Sequence, residues 1–561
     1  MQSHTGLTAR SPIAGQGDAT ASGRIPVDIR RFPWIRRLAS DYAFDYARLA
    51  DFFAGDPGDP AAWRDAIARA TRHRRQRDAV VQVLHAQQQR RGAPPIAQAT
   101  AAILGDPASV AVVTGQQAGL FGGPLFTLLK ALTALQLAER VRAEHNVPAV
   151  AVFWVDAEDH DWDEVKSCGV MDAENTPRSV ALGDLPGAHA GPVARVQLNE
   201  SITTVIAELQ AALPATEFTS ALLDDLRRCY EPGTGMADAF ARWLERVLGP
   251  RGLVVFDASD PAAKPLAAEV FTHEIERAGE TSRLASEAGA ALAARGYHAQ
   301  VTPNESSLSL FHMNAGREPI KITPDGFQVG DATQSKAALL DRARTNPAEF
   351  SPNVLLRPIV QDTIFPTVCY VAGPSELAYL GQLRRVYESF DVPMPLIQQR
   401  ATATIVDSNA MRFFSKHDVQ LETLRAQDEA ALNELLVAQL PTSVEVAIQG
   451  AGDTIEQRMD ALAREVPRID ATLEGATRST MSRMQDDLKK LHGKIVQAAK
   501  RKDETLRRQF HHARSQTFPG GHPQEREVGF VTFLNKYGPT LVDRLFEALP
   551  TEMGTHWVVT I

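Results

Sequence analysis

Apolar and polar positions alternate in three different ways along the chain. In the first, short stretches are apolar without interruption: "SVAVVT" (109–114), "PAVAVFWV" (148–155), "GLVVFD" (252–257), "PTVCYVAG" (366–373) and "PMPLIQQ" (393–399). A strand with apolar residues on both sides is covered on both faces, as in a parallel sheet between helical layers. Between the first two stretches, "GPLFTLLKALTALQLAERVRAEH" (123–145) carries apolar residues at 125, 128, 129, 132, 135 and 137, a helical spacing, and Pro124 suits a first turn. Strand, helix and strand in this order predict a parallel βαβ unit in a doubly wound sheet. Residues 35–103 read as helices with short breaks, as at "GDPGDPAAW".

The second texture is a true alternation. "YHAQVT", "SSLSLFHM", "EPIKIT" and "GFQVG" are joined by "NE", "AGR" and "PDG", which predicts an antiparallel insertion over about 296–345. Another insertion, polar and helical, spans about 156–250. The third texture is a heptad rhythm. Ile455, Met459, Leu462, Val466, Ile469 and Leu473 step by threes and fours, and Met484, Leu488, Leu491 and Ile495 resume the pattern. Pro467 and Gly475 predict a kink or break within it. The expected organisation is a disordered tail over 1–25, an α/β core over 26–406, a helical coiled-coil region over 407–515 and a C-terminal segment over 516–561.

The totals narrow the function. At 561 residues the chain is too long for one ordinary domain, and a net charge of −9 argues against nucleic acid as a partner. No run of 18 apolar residues predicts a membrane span, and "MQSHTGLTARSPIAGQGDATASGR" lacks the apolar core of a signal peptide. Cys168, Cys229 and Cys369 are too scattered for a disulfide framework or a CxxC pair. The expectation is a reduced, cytoplasmic protein.

Four motifs carry candidate chemistry. In "TGQQAGLFGGP", Thr114, Gly115, Gln116, Gln117, Gly119, Gly122 and Gly123 lie between a strand that should stop at Thr114 and a helix start. Glycines let the backbone approach a ligand, and a helix start presents unpaired N–H groups to an anion, so this loop reads either as a phosphate-holding site or as a tight turn. The spacing fits neither dinucleotide nor Walker fingerprint. In "DAEDHDWDE", Asp156, Glu158, Asp159, His160, Asp161, Asp163 and Glu164 follow the end of a buried strand, where open α/β sheets place ligands. They can supply a general base, a magnesium site or recognition of an ammonium group, or they can be a solvated helix cap. As a third wall come Gly373, Ser375, Glu376 and Tyr379 in "VAGPSELAY", with Arg357 upstream as a partner for an anion. A fourth candidate is "FPGGHPQERE": Gly520, His522, Gln524, Glu525 and Arg526 read as a helix-ending turn or as a second nucleotide site. The first two loops follow parallel strands joined by one crossover, so they are expected to line one pocket.

"VVTGQQAGLFGGPLFTLLKA", "FWVDAEDHDWDEV", "RPIVQDTIFPTVCYVAGPSELAY" and "FPGGHPQERE…FLNKYGP", in that order from about Arg31 to the C-terminus, resemble the BshC family of cysteine-adding enzymes in bacillithiol biosynthesis. The resemblance implies a Rossmann-like parallel sheet with connecting-peptide insertions, plus a C-terminal α-helical coiled coil that forms a homodimer. It implies a ligase that adds L-cysteine to glucosaminyl malate through an amide bond, with ATP or ADP as nucleotide and magnesium admitted beside it. Asp156, Glu158, Asp159, His160 and Asp161 would then be catalytic, with His160 or a carboxylate taking the proton of the amine. The Gly-rich loop would hold phosphates, and Arg357 the malate. The alternatives are a nucleotidyltransferase or ligase for another amine, and a non-catalytic coiled-coil binding protein.

Overall fold

Five strands form an all-parallel sheet: β1 (Val110–Gln117), β2 (Ala149–Asp156), β3 (Val254–Asp257), β4 (Thr367–Ala372) and β5 (Leu396–Gln399). Their order across the sheet is β3-β2-β1-β4-β5. The chain adds strands to one side of β1 first and to the other side afterwards. That reversal between β1 and β4 is the point where open α/β sheets bind ligands, outside the carboxyl ends of the strands. This computed structural model describes residues 23–314, 316–438, 442–502 and 504–561. They fall into two compact units: the chain up to Ile405 with Gln524–Ile561, and Val406–Pro523.

The uninterrupted apolar strands are explained by two separate cores. Val112, Ala151, Phe153 and Val255 pack with Leu128 and Leu132 of helix α1 (Leu125–His145) and with Phe240 and Leu244. Their neighbours in sequence, Val113, Val152, Trp154 and Phe256, pack with Leu84, Leu266 and Phe271. Successive side chains point to opposite faces, so a strand between two cores must be apolar at every position. β1 also runs past the expected stop at Thr114, because its ladder with β2 continues to Gln117 opposite Asp156. Gly115 permits this: a Cβ there would lie 2.8 Å from the Trp154 carbonyl oxygen.

Both insertions differ in detail from expectation. The one after β2 opens with a β-hairpin, Ser167–Met171 against Pro177–Ala181, before turning helical. The antiparallel insertion is built from Ser307–Met313, Arg317–Thr323, Gly326–Val329, Ala332–Gln334 and Phe350–Pro352. "YHAQVT" is not one of its strands. The Gln382 side chain takes both the N–H and the carbonyl of Val301, at 3.1 and 3.0 Å, and occupies the groups a ladder would use. Helix α2 (Arg357–Ile364) follows the insertion and leads into β4.

The expected tail over 1–25 lies outside the described residues as far as 22, and its last residues are already in a strand. Arg24–Asp28 pairs antiparallel with Thr555–Thr560, and Thr402–Val406 completes a three-stranded sheet. In the second unit, helix α3 (Thr442–Glu465) stops before Pro467, and a turn at Val466–Arg468 precedes helix α4 (Leu473–Lys502). The heptad rhythm therefore does not describe one long face. α3 and α4 run antiparallel, with Glu445 facing His492 at 3.1 Å and Asp460 facing Arg478 at 3.6 Å. Ile469, at the turn, is 84% exposed. Among the described residues no helix is long and apolar enough to cross a membrane.

The C-terminal segment decides the shape of the Gly-rich loop. Gly122 has φ +94°, and a Cβ there would meet the ring of Phe530, in helix α5 (Phe530–Tyr537), at 2.3 Å. An alanine would combine left-handed strain with overpacking. Gly122→Ala is expected to lower stability by about 3 kcal/mol, read as a fall of several degrees in the midpoint of thermal unfolding.

Candidate active site

A cavity of about 550 Å³ opens at the reversal between β1 and β4. One wall is the end of β1, Gly115 to Gln117, with Phe126 and Lys130 of α1 behind it. A second is the loop after β2, with Asp156, Asp159 and Glu164. The third is formed by Arg357 of α2, Tyr370 of β4, and Gly373, Ser375, Glu376 and Tyr379 after it. The antiparallel insertion adds Phe311, Arg317 and Asn353, and Arg400 and Arg526 close the remaining side.

Lys130 holds the floor together. It sits in a helix that is apolar on nearly all sides, and its side chain is 3% exposed. Its ammonium reaches Glu376 at 2.5 Å, the Gly115 carbonyl at 2.8 Å and the Gln116 side-chain oxygen at 3.3 Å. Burial alone would raise the Glu376 pKa, but Lys130, the Gly373 N–H at 2.6 Å and the Tyr370 hydroxyl at 2.8 Å hold it below its usual range. Glu376 is thus a carboxylate at neutral pH; burial pulls the Lys130 pKa below its ordinary value, and the ion pair with Glu376 opposes that pull and keeps the ammonium as its counter-charge. Arg357 faces Tyr379 at 3.4 Å and Asp156 at 3.9 Å.

The acidic loop divides into members with different surroundings. Asp156 faces the cavity, and burial raises its pKa against the pull of Arg357. Asp159 accepts from Gln117 at 3.0 Å and lies 3.7 Å from Arg317, so the two loops do share one pocket. Glu158 turns away and is buried against Lys264, whose ammonium also donates to the Phe350 carbonyl. His160 points outward, its side chain 69% exposed, and leans on Asp159 at 3.2 Å. Asp161 caps the short helix Trp162–Val165 through the Glu164 N–H. Neither His160 nor Asp161 lines the cavity. Asp163 lies in an exposed group with Asp184 and His189, where the Lys166 ammonium, 2.5 and 3.5 Å from the two carboxylates, already supplies a cation.

Much of the Gly-rich loop is engaged in contacts within the protein. Thr114 is buried and donates to the Val371 carbonyl at 2.9 Å. Gly122 packs on Phe530 and Trp243, and Gly119 lies against Gly123. The Leu125 N–H, at the start of α1, is taken by the Val528 carbonyl at 2.8 Å. Only Gly115, Gln116 and Gln117 of this motif reach the cavity. The fourth motif also contributes to this cavity, through Arg526, which stacks over Phe126 at 5.9 Å. Gln524 is taken by the N–H and carbonyl of Ile405, and Glu525 forms a buried two-pronged pair with Arg400 at 2.9 and 2.7 Å. Gly520 and His522 belong to the other unit.

Sequence reasoning missed Lys130, Arg317, Arg400 and Tyr370. Lys130 had a signal, since a lone charge inside "LFTLLKALTAL" needs a buried partner. Arg400 had one too, because it follows directly on the end of a parallel strand. Arg317 had none, because only the folded insertion brings it to the cavity. Removing one partner of a buried pair costs more than removing both. Lys130→Met is therefore expected to lower stability by about 3–5 kcal/mol, and Glu376→Gln on top of it should restore much of the loss. Denaturation of the two single variants and the double variant measures the coupling.

Comparison with known proteins supplies a lineage. Residues 26–401 match the family described as bacillithiol biosynthesis BshC, N-terminal Rossmann-like domain, and residues 403–561 match its C-terminal coiled-coil domain. A protein of Salinibacter ruber named "Putative cysteine ligase BshC" is 36% identical over 96% of this chain and 98% of its own length. Proteins of the same name from Chlorobaculum tepidum and Koribacter versatilis are each 32% identical, over 91% and 94% of this chain and 92% and 97% of their own. The chain belongs to the bacillithiol biosynthesis BshC family.

Proposed function

We propose that this member of the family is a cysteine ligase whose cavity joins L-cysteine to the amine of glucosaminyl malate, the amide-forming last step of bacillithiol biosynthesis. Family membership over both domains and the cysteine-ligase names of relatives matched over nearly their whole length support the reading. The observation that carries it is the meeting of Asp156, its pKa raised by burial, with the cations Lys130, Arg317, Arg357, Arg400 and Arg526 in one cavity. The reaction needs a proton acceptor for an amine and cations for anionic reactants.

Joining a carboxylate to an amine in water is uphill, so the cysteine carboxyl requires activation, and a nucleotide such as ATP supplies the leaving group. The C–N bond forms as the bond between the acyl carbon and that leaving group breaks, and the nitrogen gives up a proton. Asp156 accepts the proton, because a carboxyl raised toward neutrality is better matched to general-base work. Arg357 and Arg317, on the same side as Asp156, hold the malate carboxylates. Arg400 and Arg526, which line the same cavity, face phosphate oxygens. Glu164, the remaining carboxylate on the wall after β2, is the oxygen ligand a magnesium ion arriving with the nucleotide would meet. The setting is the cytoplasm.

The base must be ionised to work. Activity is therefore expected to fall as pH drops through a pKa above the ordinary carboxylate range of about 4. Asp156→Asn should reduce product formation about 100-fold or more and remove that limb of the profile. His160→Ala should retain activity within a few-fold, because its ring stands outside the cavity. Mass spectrometry of the thiol product, from cysteine, glucosaminyl malate and ATP, reads both variants. No product from the wild-type protein with any nucleoside triphosphate would refute the ligase reading.

The helical hairpin supports a homodimer. Val446, Leu462, Ile469 and Leu491 are 64%, 48%, 84% and 50% exposed, more apolar surface than a solvated hairpin needs. Light scattering at micromolar concentration should give twice the 61.1 kDa chain mass. A single chain mass would overturn the dimer.

A further inference from the structure

Gln116 and Gln117, adjacent at the end of β1, both line the cavity and are held by partners of opposite chemistry. Gln116 faces Lys130, whose ammonium lies 3.3 Å from the side-chain oxygen. An ammonium has donors only, so the carboxamide oxygen must turn toward it. The NH₂ group of Gln116 is then left for the cavity. Gln117 faces Asp159, whose carboxylate oxygen is 3.0 Å from the side-chain nitrogen. An ionised carboxylate has acceptors only, so the carboxamide nitrogen must turn toward it, and the oxygen of Gln117 is left for the cavity. A lone glutamine reads donors and acceptors alike by rotating its amide. These two are each fixed by a charge, and in opposite senses.

We infer that Gln116 and Gln117 form a polarity-coded subsite for a free α-amino acid, with Gln116 donating to its carboxylate and Gln117 accepting from its ammonium group. Lys130 and Asp159 are the positioning residues that set the two orientations. The inference deepens the proposed function, on which it rests for the identity of the amino acid as cysteine. It places the cysteine beside Asp156, which lies opposite Gln117 in the strand register. It also assigns the glutamines to the amino-acid substrate and not to the nucleotide.

The test crosses residue with ligand group. Calorimetry measures binding of L-cysteine, cysteamine (no carboxylate) and 3-mercaptopropionate (no amine) to the wild-type protein and to Gln116→Leu, Gln116→Glu and Gln117→Leu. A hydrogen bond to a charged group is worth on the order of tenfold in affinity or more. The wild-type protein should prefer cysteine over both analogues by about that factor. Gln116→Leu should abolish the preference over cysteamine alone, and Gln117→Leu the preference over 3-mercaptopropionate alone. Gln116→Glu keeps a partner for Lys130 but loses the donors, so it should bind cysteamine and reject cysteine even if the leucine variant folds poorly. Equal losses for all three ligands, the crossed pattern, or no preference in the wild-type protein would overturn the subsite. If the same pattern appears with L-serine or L-alanine and their analogues while L-cysteine does not bind, the amino-acid subsite holds and the cysteine-ligase reading falls. If cysteine product forms normally in both leucine variants, the ligase reading holds and the subsite falls.

Discussion

The buried ion pair between Lys130 and Glu376 ties together the parts of the chain that make the cavity. Lys130 comes from the helix after β1, and Glu376 from the turn after β4. The two strands lie side by side, but the chain leaves them in opposite directions, and that divergence opens the crevice. A crevice with no tie across it would be free to widen. The ammonium bridges it at 2.5 Å and also takes the Gly115 carbonyl and the Gln116 side-chain oxygen of β1. A buried charge is tolerable only with its partners in place, so this arrangement is demanded as well as permitted.

The C-terminal segment completes the same region from outside the sheet. Glu525 fixes Arg400, Gln524 fixes the strand that holds Ile405, and the Val528 carbonyl caps α1. Phe530 fills the space that Gly122 leaves open. Within the Gly-rich motif, Gly122 thus makes room for a ring from a distant segment. The cations that face the cavity are side chains from five separate places, which lets one site meet several anionic groups at once.

Much of the scaffold was legible. The unbroken apolar stretches marked the five parallel strands, and their two-sided burial explains why. Pro467 marked the break between α3 and α4. The acidic loop and the wall after β4 were correctly placed at strand ends, and the link from Gln117 to Asp159 shows that both loops reach one pocket. Strand ends could be read because a parallel sheet has a single functional edge. What the motifs did not reveal is which members face the cavity: His160 and Asp161 share a loop with Asp156 but point elsewhere.

The amino-acid sequence by itself determined the sheet, the crossover helix, the break in the coil and the edge at which chemistry would gather, because each depends on local periodicity or on the special geometry of proline. Only the tertiary structure decided which members of each motif face the cavity. It turned Glu158 inward to Lys264, packed Gly122 against Phe530, and brought Arg317, Arg400 and Arg526 together from segments far apart in the chain. A side chain's role depends on the charge and space it meets, and those partners come from long-range contacts that no local pattern records.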